Sequence, residues 1–93
     1  MKPWWVYVLE CRSGRLYTGV AVDPAARLAQ HQAGKGARFT RADPPQRCLV
    51  TKAFEDRSTA LKEEYRIKRL TRSDKLQLIA AWQREGCQGI EIS

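Results

Sequence analysis

The sequence lacks the long hydrophobic stretch that a membrane-spanning protein requires. No apolar run approaches the roughly 18–20 residues needed to cross a bilayer. The N-terminus also lacks the organisation of a signal peptide, because Glu10 and Arg12 interrupt its apolar run too soon. We therefore expect neither a transmembrane segment nor a membrane partner.

Cysteine is scarce, and its spacing fits no metal finger. Cys11, Cys48 and Cys87 are odd in number and widely separated. This pattern is typical of reduced thiols in a cytoplasmic protein. Internal repeats and interdomain linkers are absent too, so the 93 residues predict one domain over residues 1–85 and a short tail over residues 86–93.

Acidic residues are outnumbered by basic ones. The chain has 17 Lys and Arg against 10 Asp and Glu, a formal net charge of +7. Neutralising phosphates releases counterions, so this imbalance favours nucleic acid as a partner. A basic protein with a merely solvated surface would have the same composition, and charge by itself leaves both interpretations open.

Two apolar runs, residues 4–11 and 16–20, flank the turn-forming pair Ser13-Gly14 and predict a β-hairpin. Both faces of the first run are apolar, which predicts a strand in the interior of the sheet. Tyr7 and Tyr17 then lie on neighbouring strands. Gly19 indicates a bulge or a close approach of another group to the backbone.

Asp23-Pro24 is a helix-start signal, and we expect this helix to run to about Gln32 and stop at Gly34. Arg27 and His31 share one face at i,i+4 spacing. The residues expected to form its core stripe are Ala25, Leu28 and Ala29.

The segment over residues 33–47 is predicted to be an irregular basic loop, followed by a third strand over residues 48–54. Its Phe39 fits either a stacking surface for a base or an anchor in the core. Three cations of this loop, with a fourth on the next helix, are candidates for nucleic-acid contacts: Lys35, Arg38, Arg41 and Lys68.

A second helix is predicted from Ser58 to about Leu70, with Glu64 centred on its apolar face. An unpaired charge there is costly to bury, so Glu64 is either in an ion pair with Lys68 or Arg27 or is a metal ligand. Thr71 begins a capping box for a third helix. The element order predicts an α+β fold, a small, mainly antiparallel three-stranded sheet flanked by three helices.

Together these motifs resemble the GIY-YIG nuclease family over about residues 4–80, most closely its small uncharacterised single-domain bacterial members, which are related to the module of the UvrC excision nuclease. Val6-Tyr7 and Tyr17-Thr18-Gly19 match the two tyrosine motifs. Arg27 matches the helix arginine and Glu64 the glutamate of the second helix. Trp5 replaces the glycine of the first motif, and an asparagine found in some members has no counterpart.

The resemblance implies a metal-dependent endonuclease that hydrolyses phosphodiester bonds in DNA, with a role in repair or recombination. Glu64 would bind one Mg²⁺ or Mn²⁺, and Arg27 would hold the scissile phosphate. Tyr7 or Tyr17 would be the general base or proton relay, with His31 replacing or assisting it. The alternatives are a basic nucleic-acid-binding module without catalysis and a protein-interaction adaptor, which would require an exposed Trp82.

Overall fold

The computed structural model describes residues 2–35 and 41–90, and within them the chain forms three strands and three helices. In chain order they are β1 (Trp4–Cys11), β2 (Leu16–Ala21), α1 (Pro24–Gln32), β3 (Pro45–Phe54), α2 (Arg57–Lys68) and α3 (Arg72–Arg84). The strands form one antiparallel sheet in the order β2-β1-β3. The predicted α+β fold, with β1 in the interior of the sheet, is confirmed.

The β1–β2 connection is the predicted tight turn. Gly14 has a φ of 93°, in the left-handed region that glycine adopts without steric cost, and the Cys11 amide donates to the Arg15 carbonyl at 2.8 Å. The amide and hydroxyl of Ser13 both donate to the carboxylate of Asp43. The hairpin tip is thus tied to the segment that precedes β3.

Side chains of β1 alternate between two hydrophobic clusters because successive residues of a strand point to opposite faces. The dry cluster lies between the sheet and the helices α2 and α3, and it consists of Val6, Val8, Val50, Ala60, Ile67, Ile79 and Trp82. The tyrosine cluster lies on the α1 side, and it consists of Tyr7, Leu9, Ala21, Leu28 and Cys48, with Tyr17 and Ile90 packed against it. Trp82 is buried, which removes the exposed tryptophan that the adaptor interpretation required.

Local signals predicted some element ends correctly and others wrongly. The carboxylate of Asp23 accepts from the Ala26 amide at the start of α1, as expected. The start of α2 was predicted at Ser58, but Asp56 is its N-cap and accepts from the Thr59 amide at 2.8 Å. The third strand begins at Pro45 rather than Cys48, because its first residues pair with the far end of β1.

The buried face of α1 differs from the prediction. Ala25 and Ala29 are exposed, whereas Leu28 and His31 are buried. A histidine takes an interior position here because a hydroxyl group from β1 meets its ring nitrogen.

Residues 87–90, in the predicted tail, lie along the outer edge of β3. Cys48 and Ile90 form a β-bridge, and the Thr51 amide donates to the Gln88 carbonyl at 2.9 Å. A Cβ atom on Gly89 would lie 2.8 Å from the Leu49 carbonyl oxygen, so the close approach requires glycine. In the part of the chain that the structure describes, none of the helices has the length and apolar character that crossing a bilayer takes.

Candidate active site

Tyr7 lies at the centre of the candidate site. It projects from the middle of β1 towards α1, and its hydroxyl is 3.1 Å from Nε2 of His31, within hydrogen-bonding distance. The ring of Tyr17, on β2, meets the His31 ring edge-on at a centroid distance of 5.4 Å. Both phenol rings are therefore on the same side of the sheet, around one imidazole.

Gly19 makes room for the Tyr7 ring. The two residues are paired across β1 and β2, and a Cβ atom on Gly19 would lie 2.5 Å from Cζ of Tyr7. No side chain larger than hydrogen fits there while Tyr7 keeps its position. The close approach that the sequence indicated at Gly19 is thus the phenol of Tyr7 crossing the neighbouring strand.

Helix α1 supplies two functional groups from one turn. The guanidinium of Arg27 is near the Tyr7 hydroxyl and lowers the pKa of that phenol, and its Nη1 donates to Oε1 of Gln30 at 2.8 Å. His31 is 1% exposed, so its ring contacts the neighbouring side chains of the site rather than solvent. Gln30 was not singled out from the sequence, although its i,i+3 spacing from Arg27 is a signal for this contact.

The electrostatics keep both central groups uncharged at neutral pH. Burial, reinforced by the nearby Tyr17, raises the pKa of Tyr7 to about 12, although the guanidinium of Arg27 opposes this shift. Burial also lowers the pKa of His31, and the positive charge of Arg27 adds to the effect. The site therefore holds a protonated phenol against a neutral imidazole.

Glu64 and Lys68 approach this cluster from α2. Nζ of Lys68 lies 3.4 Å from Oε2 of Glu64 and 5.9 Å from the centre of the Tyr17 ring. The Glu64 side chain is 19% exposed, and its charge contributes to the raised pKa of Tyr7. The carboxylate is therefore near the phenols and open to solvent, and it forms the Lys68 ion pair that the sequence left as one of its alternatives.

The site offers one carboxylate, that of Glu64, as a ligand for a hard divalent cation. Among the described residues there is no group of three or more His, Cys, Asp or Glu side chains that could hold an ion. Glu64 offers a single, half-buried carboxylate. Mg²⁺ commonly binds through one or two carboxylates together with waters and substrate phosphate, and Glu64 meets that minimum.

The remaining predicted contacts are spread more widely. Lys35, just after α1, and Arg41, before β3, are both exposed. Arg38 and Phe39 lie outside the described residues. Of the predicted residues, the structure thus brings together Tyr7, Tyr17, Arg27, His31, Glu64 and Lys68.

Comparison with known proteins gives a consistent result. A family model described as the GIY-YIG catalytic domain matches residues 3–77. A UPF0213 protein of Cupriavidus pinatubonensis is 47% identical over 85% of this chain and 88% of its own length. The solution NMR structure of the UPF0213 protein BH0048 from Bacillus halodurans is 40% identical, with a TM-score of 0.56, over 85% of this chain and 84% of that one. The solution structure of the E. faecalis protein EF2693 is 37% identical, with a TM-score of 0.63, over 89% of this chain and 88% of that one.

Proposed function

Since the chain belongs to the GIY-YIG family, whose members are generally nucleases, we propose that it is a metal-dependent endonuclease that hydrolyses phosphodiester bonds in DNA. We further propose that it acts in the cytoplasm, where its three free thiols stay reduced, in repair or recombination. One observation carries the proposal. Tyr7 interacts with His31, Arg27, Tyr17 and Glu64 at once, so the side chains needed for hydrolysis surround a single phenol.

In this mechanism Arg27 binds the scissile phosphate, because its planar fork matches two phosphoryl oxygens and opposes the charge that develops on them. Gln30 holds the guanidinium in place through its side-chain oxygen. A bound Mg²⁺ or Mn²⁺, held by Glu64, would polarise the phosphate and lower the pKa of a coordinated water.

Tyr7 is the proton relay in this proposal. A phenol whose pKa is raised to about 12 is a poor general base on its own. Neutral His31 with an unprotonated Nε2 accepts the Tyr7 proton, while the Tyr7 oxygen accepts a proton from the attacking water. The water oxygen bonds to phosphorus as the bond to the leaving oxygen breaks, and the leaving oxygen takes a proton from solvent water. Tyr17 packs against the imidazole and keeps it oriented.

Glu64→Gln tests the proposal, with Glu63→Gln as a matched control. The two glutamates are neighbours on α2, have side chains 19% and 20% exposed, and each pairs with a cation one turn away. Cleavage of nicked, flapped and branched DNA is measured with Mn²⁺ present. We expect Glu64→Gln to abolish cleavage and Glu63→Gln to retain it within a few-fold. Equal cleavage by parent and Glu64→Gln would remove the metal-ligand assignment.

The second candidate function is a nucleic-acid-binding module without catalysis. The Glu64–Lys68 ion pair favours it, because that pair accounts for a carboxylate at this position without a metal. This alternative predicts salt-sensitive binding that Glu64→Gln leaves intact, and no cleavage with any divalent metal. Metal-dependent cleavage that Glu64→Gln abolishes would contradict it.

A further inference from the structure

A concave feature lies where the tip of the hairpin meets the start of α3. It is a hollow of about 250 Å³ lined by Arg15, Leu16, Arg72 and Lys75, which we term the basic hollow. Its three cations come from two parts of the chain that are far apart in sequence. Nη1 of Arg72 donates to the Gly14 carbonyl at 2.7 Å, and this bond holds the two parts together.

The basic hollow lies on the face of β2 opposite the Tyr17 ring, because its wall residue Leu16 packs on the dry cluster. Leu16 on its wall is followed directly by Tyr17, which packs on His31. Lys68, at the end of α2, reaches over the Tyr17 ring, and α3 with Arg72 begins a few residues further on. Positive charge is therefore present at the Tyr17 ring, on Lys68, and at the tip of the hairpin, on Arg15 and Arg72.

Within residues 2–35 and 41–90, the three cations of the hollow form no ion pair, and the same holds for most other basic residues that the structure describes. Four cations elsewhere in the described residues form ion pairs with Glu10, Glu85, Glu63 and Glu64. Asp74 lies between Arg72 and Lys75 in the first turn of α3, and Asp43 interacts with Arg15 at longer range but accepts its hydrogen bonds from Ser13.

The stability of α3 does not explain why Arg72 and Lys75 are basic. Arg72 and Lys75 lie in the first turn of α3, where the helix dipole favours acidic side chains and disfavours basic ones. A bound anion would reverse that penalty. Two cations against the dipole and a third from the hairpin, around an open concavity, together match a phosphate group.

We propose that the basic hollow binds a backbone phosphate of the nucleic acid at a position outside the phenol cluster. The identity of the polyanion rests on the proposed function, while the charged hollow itself does not. A phosphate held by Arg15, Arg72 and Lys75 fixes the strand at the tip of the hairpin. These contacts set affinity and register without reading base identity.

The test compares two double variants that carry the same net charge. Arg15→Ala/Lys75→Ala removes two cations of the hollow and leaves the Arg72 anchor in place. The control, Lys62→Ala/Arg84→Ala, removes two exposed cations elsewhere, and Arg84 lies roughly 18 Å along α3 from Arg72. Binding of a fluorescein-labelled branched DNA is followed by anisotropy over a range of salt concentrations, with EDTA present so that no cleavage occurs.

We expect the hollow variant to bind roughly tenfold or more weakly at 0.1 M salt and to lose about 0.9 from the slope of log K against log salt, since each lost phosphate contact contributes about 0.9. The control should lose much less affinity, and its salt slope should change much less. Equal losses of affinity and slope in the two variants would mean that net charge is responsible. That result would overturn the proposal that the hollow binds a phosphate. If the parent binds neither DNA nor RNA, the proposed function itself fails, which is a distinct result.

Discussion

The central strand β1 contributes side chains to both faces of the sheet, and the two faces have different roles. On one side β1 contributes Val6 and Val8 to the dry cluster, an apolar core under α2 and α3. On the other side it contributes Tyr7 to a network of hydroxyl, imidazole and guanidinium groups under α1. The two-residue period of the strand thus separates stability from chemistry. Changes to the first face should affect unfolding, and changes to the second should affect cleavage.

Trp82→Ala should give the largest effect. Trp82 is 4% exposed in the dry cluster, and truncation of such a side chain costs about 3–5 kcal/mol, a large part of the total stability of a small domain. Urea unfolding measures the loss. Ile79→Val, at about 0.5–1.5 kcal/mol, provides a milder variant in case Trp82→Ala does not fold. Cleavage by Ile79→Val well below that of the parent would show that the two faces are not separate.

Arg27→Ala should lower cleavage and leave stability nearly unchanged, which is the opposite of what Trp82→Ala should do. Loss of the phosphate-binding guanidinium is expected to reduce cleavage by about 10²-fold or more, as removal of a single oxyanion donor typically does. The free energy of unfolding should change little, because Arg27 is only half-buried. Arg84→Ala, an exposed arginine on α3, is the control. Cleavage within a few-fold of the parent would contradict the role of Arg27.

The pH dependence of stability should report on His31, the single histidine of the chain. Burial lowers its pKa from 6.5, so below that pH the unfolded chain binds a proton that the folded chain does not. The free energy of unfolding should therefore fall as pH drops below about 6.5, by at most about 1.4 kcal/mol per pH unit.

His31→Gln is the variant that checks this assignment. Denaturant titrations between about pH 5 and pH 7 should show a shallower slope for His31→Gln than for the parent. Identical slopes would mean that folding does not lower the pKa of His31, which would contradict the effect of its burial.

The smallest expected effect is a gain in stability. The Thr18 hydroxyl is buried and, within the described residues, has no hydrogen-bond partner. Thr18 pairs with Val8 and shares its face of the sheet, towards the dry cluster. Thr18→Val replaces a buried unpaired hydroxyl with a methyl group, so we expect the free energy of unfolding to rise by about 1 kcal/mol. A lower free energy of unfolding would indicate that the fold needs the Thr18 hydroxyl on this face.

Sequence patterns predicted the parts that depend on near neighbours. Ser13-Gly14 and Asp23-Pro24 act within a few residues, and the turn and helix start that they predict are confirmed. The start of β3 was wrong because Pro45 pairs with Cys11, far away in the chain. The inner face of α1 was wrong for a similar reason. Helical periodicity ranks alanine above histidine as a core residue, and only the distant Tyr7 hydroxyl makes His31 suitable for the interior.

The candidate site shows the same limit. The order of the motifs predicted which residue types belong to it, and the structure brings Tyr7, Tyr17, Arg27, His31 and Glu64 together. Their roles in catalysis stay predictions. The basic hollow had no sequence signature, because Arg15 and Arg72 become neighbours only when the hairpin tip packs on α3.

The segment along the outer edge of β3 has a consequence for how copies of the protein behave towards one another. An exposed strand edge presents free amides and carbonyls that recruit strands from other molecules. Here Gln88 and Ile90 occupy the hydrogen-bonding groups of Thr51 and Cys48. Truncation after Gly86 would uncover this edge, and the shortened protein should self-associate at concentrations where the parent stays dispersed.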